Sequence, residues 1–259
     1  LTFFLLFSLM NNTCFVYAMD CEGKRLNELL EEEYNKSVKQ YLITDLTNIY
    51  NVKESDVLRE ESSKIGKYDI KEFIKLEYDK EYFYAPVYTL NKFRKGDKLV
   101  YTLESQVRID NAVRASRILN SLRVNNFINI GLSGALQEDL GIGDVICSNK
   151  SMYKEINSDV FKTINVKKPK IVLGDYLVCP TGTTDWFCEV EEKKNFRKIT
   201  GAYSIDVESA VIASNLRGNI ELYRVISDEL NDSQKNFCDN ISSSVKFLDK
   251  FVEELIENL

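Results

Sequence analysis

The sequence predicts an α/β protein, a three-layer α/β/α sandwich around a mostly parallel mixed sheet. Two observations lead there. In the second half of the chain, short apolar runs of strand character alternate with stretches whose apolar residues recur at helical spacing. The chain also closes on a sustained amphipathic pattern, with Ile241, Val245, Leu248, Val252, Leu255 and Leu259 alternately four and three apart. With 259 residues, 44% of them hydrophobic, and only 11 Gly and 3 Pro, one large domain with a substantial core is expected.

The elements follow in order. Leu26, Leu30, Tyr34, Val38 and Tyr41 recur at helical spacing and predict a helix over residues 26–42. Residues 50–80 are highly charged and carry no clear period. Strands are expected at 82–88 and 98–103, with Lys95-Gly96-Asp97 as a turn. Ala112, Ala115, Leu119 and Leu122 stripe a helix, and 127–130 reads as the next strand. Further strands are expected at 144–147, at 171–173 or 177–179, at 203–205, and at 222–226. The 203–205 strand leads into a helix through Leu216, with Gly218 as its stop.

The first eighteen residues stand apart. An apolar run over 1–10, followed by Val16-Tyr17-Ala18, reads either as an export signal or as upstream sequence joined to a start at Met19. The second reading makes 19–259 a single domain of a cytoplasmic protein. The apolar run is too short to span a bilayer comfortably.

Composition removes several chemistries. A net charge of −6 without a basic stripe argues against nucleic acid as a partner, and nothing beyond the first residues suggests a membrane. The absence of histidine excludes Ser–His and Cys–His dyads and imidazole-bound zinc. The six cysteines form no C-x-x-C pair, so neither a metal nor another cofactor is expected. Acid–base work must fall to carboxylates, Lys, Tyr or Cys.

In a sheet of this kind ligands sit at the carboxyl ends of strands. Three segments stand there. Asn129-Ile130-Gly131-Leu132-Ser133-Gly134-Ala135-Leu136 reads as a small-residue turn after a strand, where Ser133 and Gly134 let the backbone approach a ligand. Asp206-Val207-Glu208-Ser209-Ala210 places two carboxylates at a strand-to-helix junction, and Arg224-Val225-Ile226-Ser227-Asp228 ends a strand on Ser-Asp. Each also has a plain structural reading, as a turn, a helix-dipole partner or an N-cap.

Together the three segments resemble the nucleoside phosphorylase/nucleosidase superfamily, above all its methylthioadenosine/S-adenosylhomocysteine nucleosidases. The first is similar to that family's Asn-Thr-Gly-Ser-Ala-Gly-Gly-Leu, the second to its Glu-Met-Glu-x-Ala and the third to its Arg-Ala-Ile-Ser-Asp. The resemblance covers roughly residues 98–259. It implies cleavage of the bond between a ribose and a purine-type base of a small nucleoside, with no cofactor and with assembly as a homodimer. Asp228 would be the general acid toward the leaving base, oriented by Ser227, and Glu208 would hold the ribose hydroxyls. Arg224 would order the loop or contact Glu208, beside Asp206. Val207 would take the sugar-facing place of the family's Met. Trp186 or Phe187 would stack on the base.

The chain also departs from the family. No glutamate that would activate water stands out between Met19 and Leu90. The family's Ser-Gly-x-Gly turn appears as Ser105-Gln106-Val107-Arg108, with both glycines lost, and Leu132 replaces a serine. Arg108 at that turn would draw an anionic substrate group. Three readings stay open at this point: a nucleosidase using water, a phosphorylase using phosphate, and a catalytically degenerate nucleoside-binding or storage protein.

Overall fold

The uncharged run Thr13–Tyr17 forms β1, fully buried between two strands that run parallel to it, β8 (Lys98–Glu104) and β9 (Asn126–Ala135). A strand buried on both faces needs such a continuous run. β1 lies inside the α/β unit, so residues 13–17 pack as one body with the chain that follows Met19. The computed structural model describes residues 12–34, 36–45, 47–154, 160–169 and 176–258. The apolar run 1–10 and the strand expected at 171–173 lie outside them.

Among the described residues, eleven strands form one mixed sheet in the order β11-β10-β12-β13-β9-β1-β8-β7-β2-β3, with β14 (Asn219–Asp228) bridging β9 and β10. Its central pairings are parallel: β1 with β8 and β9, and β9 with β14. On the far side, β10 (Val145–Lys154), β12 (Leu177–Thr183) and β13 (Ser204–Asp206) pair in parallel, while β11 (Phe161–Ile164) runs antiparallel to β10. Antiparallel β10–β14 and β13–β9 contacts join that group to the centre and curl the sheet on itself.

Alternation along the strands assigns the two faces. Phe15 and Tyr17 of β1, Ile128 and Ile130 of β9, and Tyr223 and Val225 of β14 meet helices α1 (Asp20–Glu33) and α5 (Gln234–Glu257). Cys14, Val16, Phe127, Ile220 and Leu222 point the other way, to α2 (Ile109–Ser121) and α4 (Ser209–Asn215). Helix α3 (Val190–Thr200) packs Phe196 into a smaller cluster with Leu136 and Ile205. Three layers result. No helix among the described residues is long and apolar enough to cross a membrane.

Several sequence expectations need correction. The helix expected over 26–42 ends at Glu33, and Val38 and Tyr41 belong to β2 (Lys36–Thr44). Val38 is exposed and Tyr41 buried, which a single helical face does not explain. β2 opens an antiparallel limb with β3 (Ile49–Val52) and β7 (Tyr88–Lys95). The charged stretch folds into a separate antiparallel sheet of β4 (Leu58–Ser62), β5 (Gly66–Tyr78) and β6 (Glu81–Pro86). The strand expected at 82–88 is therefore two strands. Gly218 does not stop α4, whose cap is the extended Leu216. It gives passage to Phe127, whose ring a Cβ at 218 would meet at 2.6 Å. The expected turn Lys95-Gly96-Asp97 closes the β7–β8 hairpin, with Gly96 at a φ of 58°.

Candidate active site

The ends of β1, β8, β9, β12, β13 and β14 open onto one cavity of about 1180 Å³. The small β4–β6 sheet covers part of it through Leu58, Glu60, Asp69, Glu72 and Tyr84. Every sequence-predicted site residue except Arg224 lines this cavity: Asp228, Glu208, Ser227, Val207, Asp206, Trp186, Phe187, Ser133 and Gly134. Asn129 to Ala135 is not a turn but the second half of β9, and its small residues do something other than expected.

They leave room for carboxylates. A Cβ at Gly134 would lie 2.7 Å from Asp228 Oδ2, and one at Gly131 would lie 3.0 Å from Glu22 Oε1. Glu22 is the glutamate that the sequence reading did not find. It stands in the first turn of α1, three residues after the N-cap Met19 and five after the end of β1 at Tyr17. Its Oε2 accepts the N–H groups of Ala18 at 2.9 Å and Met19 at 3.0 Å, and its Oε1 accepts the Leu132 N–H at 2.7 Å. This reach back from the third helical position is the geometry of a capping box. Burial raises the Glu22 pKa, against the pull of those N–H bonds and of Arg224. Glu22 escaped notice because β1 had been set aside with the leader, which left it one acid among many in a charged helix.

Beside Glu208, Asp206 is a structural anchor. Its Oδ1 accepts the Thr183 hydroxyl at 2.6 Å and the N–H groups of Glu208 and Ser209 at 3.1 and 3.0 Å. Its Oδ2 accepts Arg224 Nε at 2.6 Å. Arg224 therefore pairs with Asp206 rather than with Glu208, and its other nitrogens donate to the Asn129 side chain and the Tyr223 carbonyl. Asn129 in turn donates to the Val16 carbonyl, so one buried network ties β1, β9, β13 and β14 together at their ends. The Arg224 charge holds the Asp206 carboxyl below its ordinary range despite burial. Glu208 is left to face the cavity. Burial first, then Asp206 and Glu22, raise its pKa well above the usual value.

Glu208 Oε1 accepts the backbone N–H of Arg108 at 3.2 Å. The turn that carries this N–H keeps a glycine-like backbone without glycines, since Gln106 and Arg108 sit at φ of 61° and 90°. Non-glycine residues so placed cost about 1–3 kcal/mol each and cluster at functional sites. The turn thus keeps its backbone shape although both glycines are lost. The Arg108 guanidinium is exposed and 4.0 Å from Asp185, which partly offsets its charge for any anion.

At the end of β14, Asp228 is almost fully buried, and its Oδ1 accepts the Ser227 hydroxyl at 2.8 Å. Its Oδ2 accepts an ammonium hydrogen from Lys193 of α3, a lysine buried to 1% exposure that sequence reasoning also missed. On a helix otherwise rich in solvated charge, Lys193 carried no signal. Burial raises the Asp228 pKa, while Lys193 opposes the rise. Phe187 packs against Phe237 at 5.5 Å between ring centroids, whereas Trp186 is 56% exposed at the cavity mouth. The Ser133 hydroxyl has no partner among the described residues and lines the cavity. No group of three Cys, Asp or Glu among the described residues is arranged to hold a metal ion.

Comparison with known proteins agrees with this architecture. The family model of the phosphorylase superfamily matches residues 68–185. A 5′-methylthioadenosine/S-adenosylhomocysteine nucleosidase of Buchnera aphidicola is 29% identical over 206 residues, covering 66% of this chain and 84% of that protein. The futalosine hydrolase of Helicobacter pylori superposes with a TM-score of 0.66 at 13% identity, over 97% of this chain and 100% of its own. The H. pylori 5′-methylthioadenosine/S-adenosylhomocysteine nucleosidase superposes with a TM-score of 0.65 at 13% identity, over 96% and 99%. Motifs, fold and the matched residues 68–185 agree in making the chain similar to the phosphorylase superfamily.

Proposed function

We propose that this chain is a nucleosidase that hydrolyses the N-glycosidic bond of a purine-type nucleoside, of the methylthioadenosine/S-adenosylhomocysteine kind. One observation carries the reading: three buried carboxylates, Glu22, Glu208 and Asp228, converge on a single cavity at the strand ends. Cleavage leaves an oxocarbenium-like ribosyl group and a base that needs a proton. Asp228 supplies that proton or hydrogen bond, and Glu22, with its raised pKa, takes one from the attacking water. Glu208 accepts from the ribose hydroxyls, and Phe187 and Trp186 offer aromatic faces to the base. The relatives named as nucleosidases and hydrolases support the same reaction class.

Water is favoured over phosphate. A phosphate dianion needs several converging donors, while the position beside Ser133 is the apolar Leu132, whose N–H is already given to Glu22. Glu22 also speaks against a degenerate storage protein, because a buried base has no use in storage. Homodimer assembly completes the proposal and is supported by the exposed aromatics of the small sheet, Tyr82 and Tyr84 on one face and Tyr78 and Phe83 on the other. The test is base release from adenosine-type nucleosides in phosphate-free buffer, repeated with millimolar phosphate. Equal release with free ribose as product is expected. Release only with phosphate, yielding ribose-1-phosphate, would establish a phosphorylase instead.

A further inference from the structure

The nucleosidase chemistry above uses Asp228 as an acid, yet both of its oxygens already accept hydrogen bonds, one from Ser227 and one from Lys193. Lys193 is 1% exposed, and its ammonium also donates to the carbonyls of Glu229 at 2.9 Å and Asp232 at 3.1 Å. All three ammonium hydrogens therefore have acceptors, and the pair is shut off from bulk water. A buried ion pair held for stability alone is a weak investment, since desolvation of both charges offsets most of the attraction. A pair beside a reacting group has a further use.

We infer that Lys193 stores the proton that Asp228 delivers to the leaving base. The inference rests on the nucleosidase reading. As the glycosidic C–N bond breaks, its electrons pass to the base. The Lys193 ammonium gives a proton to the Asp228 carboxylate along their existing hydrogen bond, and Asp228 passes a proton to the base and is a carboxylate again. Lys193 becomes a neutral amine that still donates to the Glu229 and Asp232 carbonyls. Water forms the new C–O bond and loses its proton to Glu22. Once products leave, Glu22 releases that proton to solvent and Lys193 takes one up, so the cycle closes. Lys193 acts through Asp228 and does not touch the base. The groups facing the pair are Asp232 from the loop after β14, Cys188 from the segment before α3, and the Phe187 ring, 5.6 Å from Nζ. Asp232 favours the protonated pair.

Two substitutions separate proton storage from simple charge pairing. Arginine keeps the positive charge but cannot release a proton in a protein. Methionine keeps most of the volume and removes both. If Lys193 stores the proton, Lys193→Arg fails to restore turnover. In Lys193→Met, Asp228 must load from solvent as a lone carboxyl, so the alkaline limb of the kcat profile moves to lower pH. At the alkaline end kcat falls about 10²-fold, the lower range for a positioned acid, with KM nearly unchanged. Infrared difference spectra give a readout without substrate. Lys193→Met should show a protonated carboxyl band at neutral pH that the wild type lacks and that Lys193→Met with Asp228→Asn loses. Wild-type turnover with an unmoved alkaline limb in Lys193→Met, full rescue by arginine, or absence of the carboxyl band would each overturn the assignment. A wild type that releases no base would fail the nucleosidase reading itself, and the infrared arm would still decide whether Lys193 governs the Asp228 proton.

Discussion

Replacing Gly134 by alanine tests the geometry of the acid more sharply than removing the acid does. The backbone at 134 lies in β9, outside the left-handed region, so alanine is conformationally allowed. The added Cβ would stand 2.7 Å from Asp228 Oδ2 and 3.3 Å from its Cγ. Ordinary contact begins near 3.5 Å, so the carboxylate must retreat by roughly 1 Å. It cannot retreat freely. Asp228 is in register with Gly134 on the neighbouring strand, and Ser227 and Lys193 hold its two oxygens. Overpacking of this kind costs about 1–3 kcal/mol of stability, which a folded domain of this size survives. A misplacement of that size at a reacting group costs about 10²-fold in rate. Steady-state base release together with urea unfolding measures both quantities. The expected result is a folded protein with kcat lowered about 10²-fold and KM little changed. Gly131→Ala is the internal comparison, because its Cβ meets Glu22 Oε1 at 3.0 Å and needs a smaller shift, so its loss should be smaller. A folded Gly134→Ala protein with wild-type kcat would show that the Asp228 position is not the one used in catalysis.

Other outcomes follow from the same contacts. Asp228→Asn should lower kcat by about 10²–10⁴-fold with little change in KM, whereas Glu208→Gln should impair both, and unchanged turnover in the former removes Asp228 from the acid role. Glu22→Gln should abolish water activation and also lose about 1–3 kcal/mol in urea unfolding, because its amide would set an N–H against a backbone donor where two carboxylate oxygens now accept; full activity in this variant would place the base elsewhere. Arg108→Gly should gain about 1 kcal/mol by relieving a φ of 90° while keeping the N–H bond to Glu208, and a clear loss of stability would mean that the guanidinium contacts outweigh the strain. Glu104 is buried with one carboxyl oxygen unpartnered among the described residues, and burial, then Glu72, Asp20 and Asp69, raise its pKa well above 4.5. Its contribution is therefore present below the unfolded pKa and lost as pH rises through the folded one. Glu104→Gln should gain on the wild type in urea midpoint as pH rises from about 4.5, and a constant difference across that range would contradict the assignment.

Much of the second half of the fold was legible. Long apolar periods such as those of α2 and α5 come from helices that bury one stripe, and burial of a stripe is written into spacing. The candidate acid and ribose ligand were legible for a related reason, since Asp228 ends β14 and Glu208 caps α4 just after β13, in short motifs where position along the chain is position in the site. The first half read poorly. Val38 and Tyr41 happened to continue the helical spacing of α1, and the strand pairing that claims them involves Lys92 and Thr89, about fifty residues away. Gln106 and Arg108 read as a lost glycine turn because sequence reports residue type and not backbone angle.

The sequence by itself determined the layer architecture, the exclusion of histidine chemistry, and the carboxylates that end β13 and β14, because each depends on neighbours within a few residues. Only the tertiary structure decided what surrounds those carboxylates. Arg224 turned from Glu208 to Asp206, Gly131 and Gly134 became space for Glu22 and Asp228, and Lys193 left its solvated helix for the base side of the cavity. These pairings join residues from 18 to more than 100 positions apart. Their partners are chosen by desolvation, which leaves a buried charge no option but the nearest group able to satisfy it. That choice is made in space, after the strands have paired, and no local pattern in the chain records it.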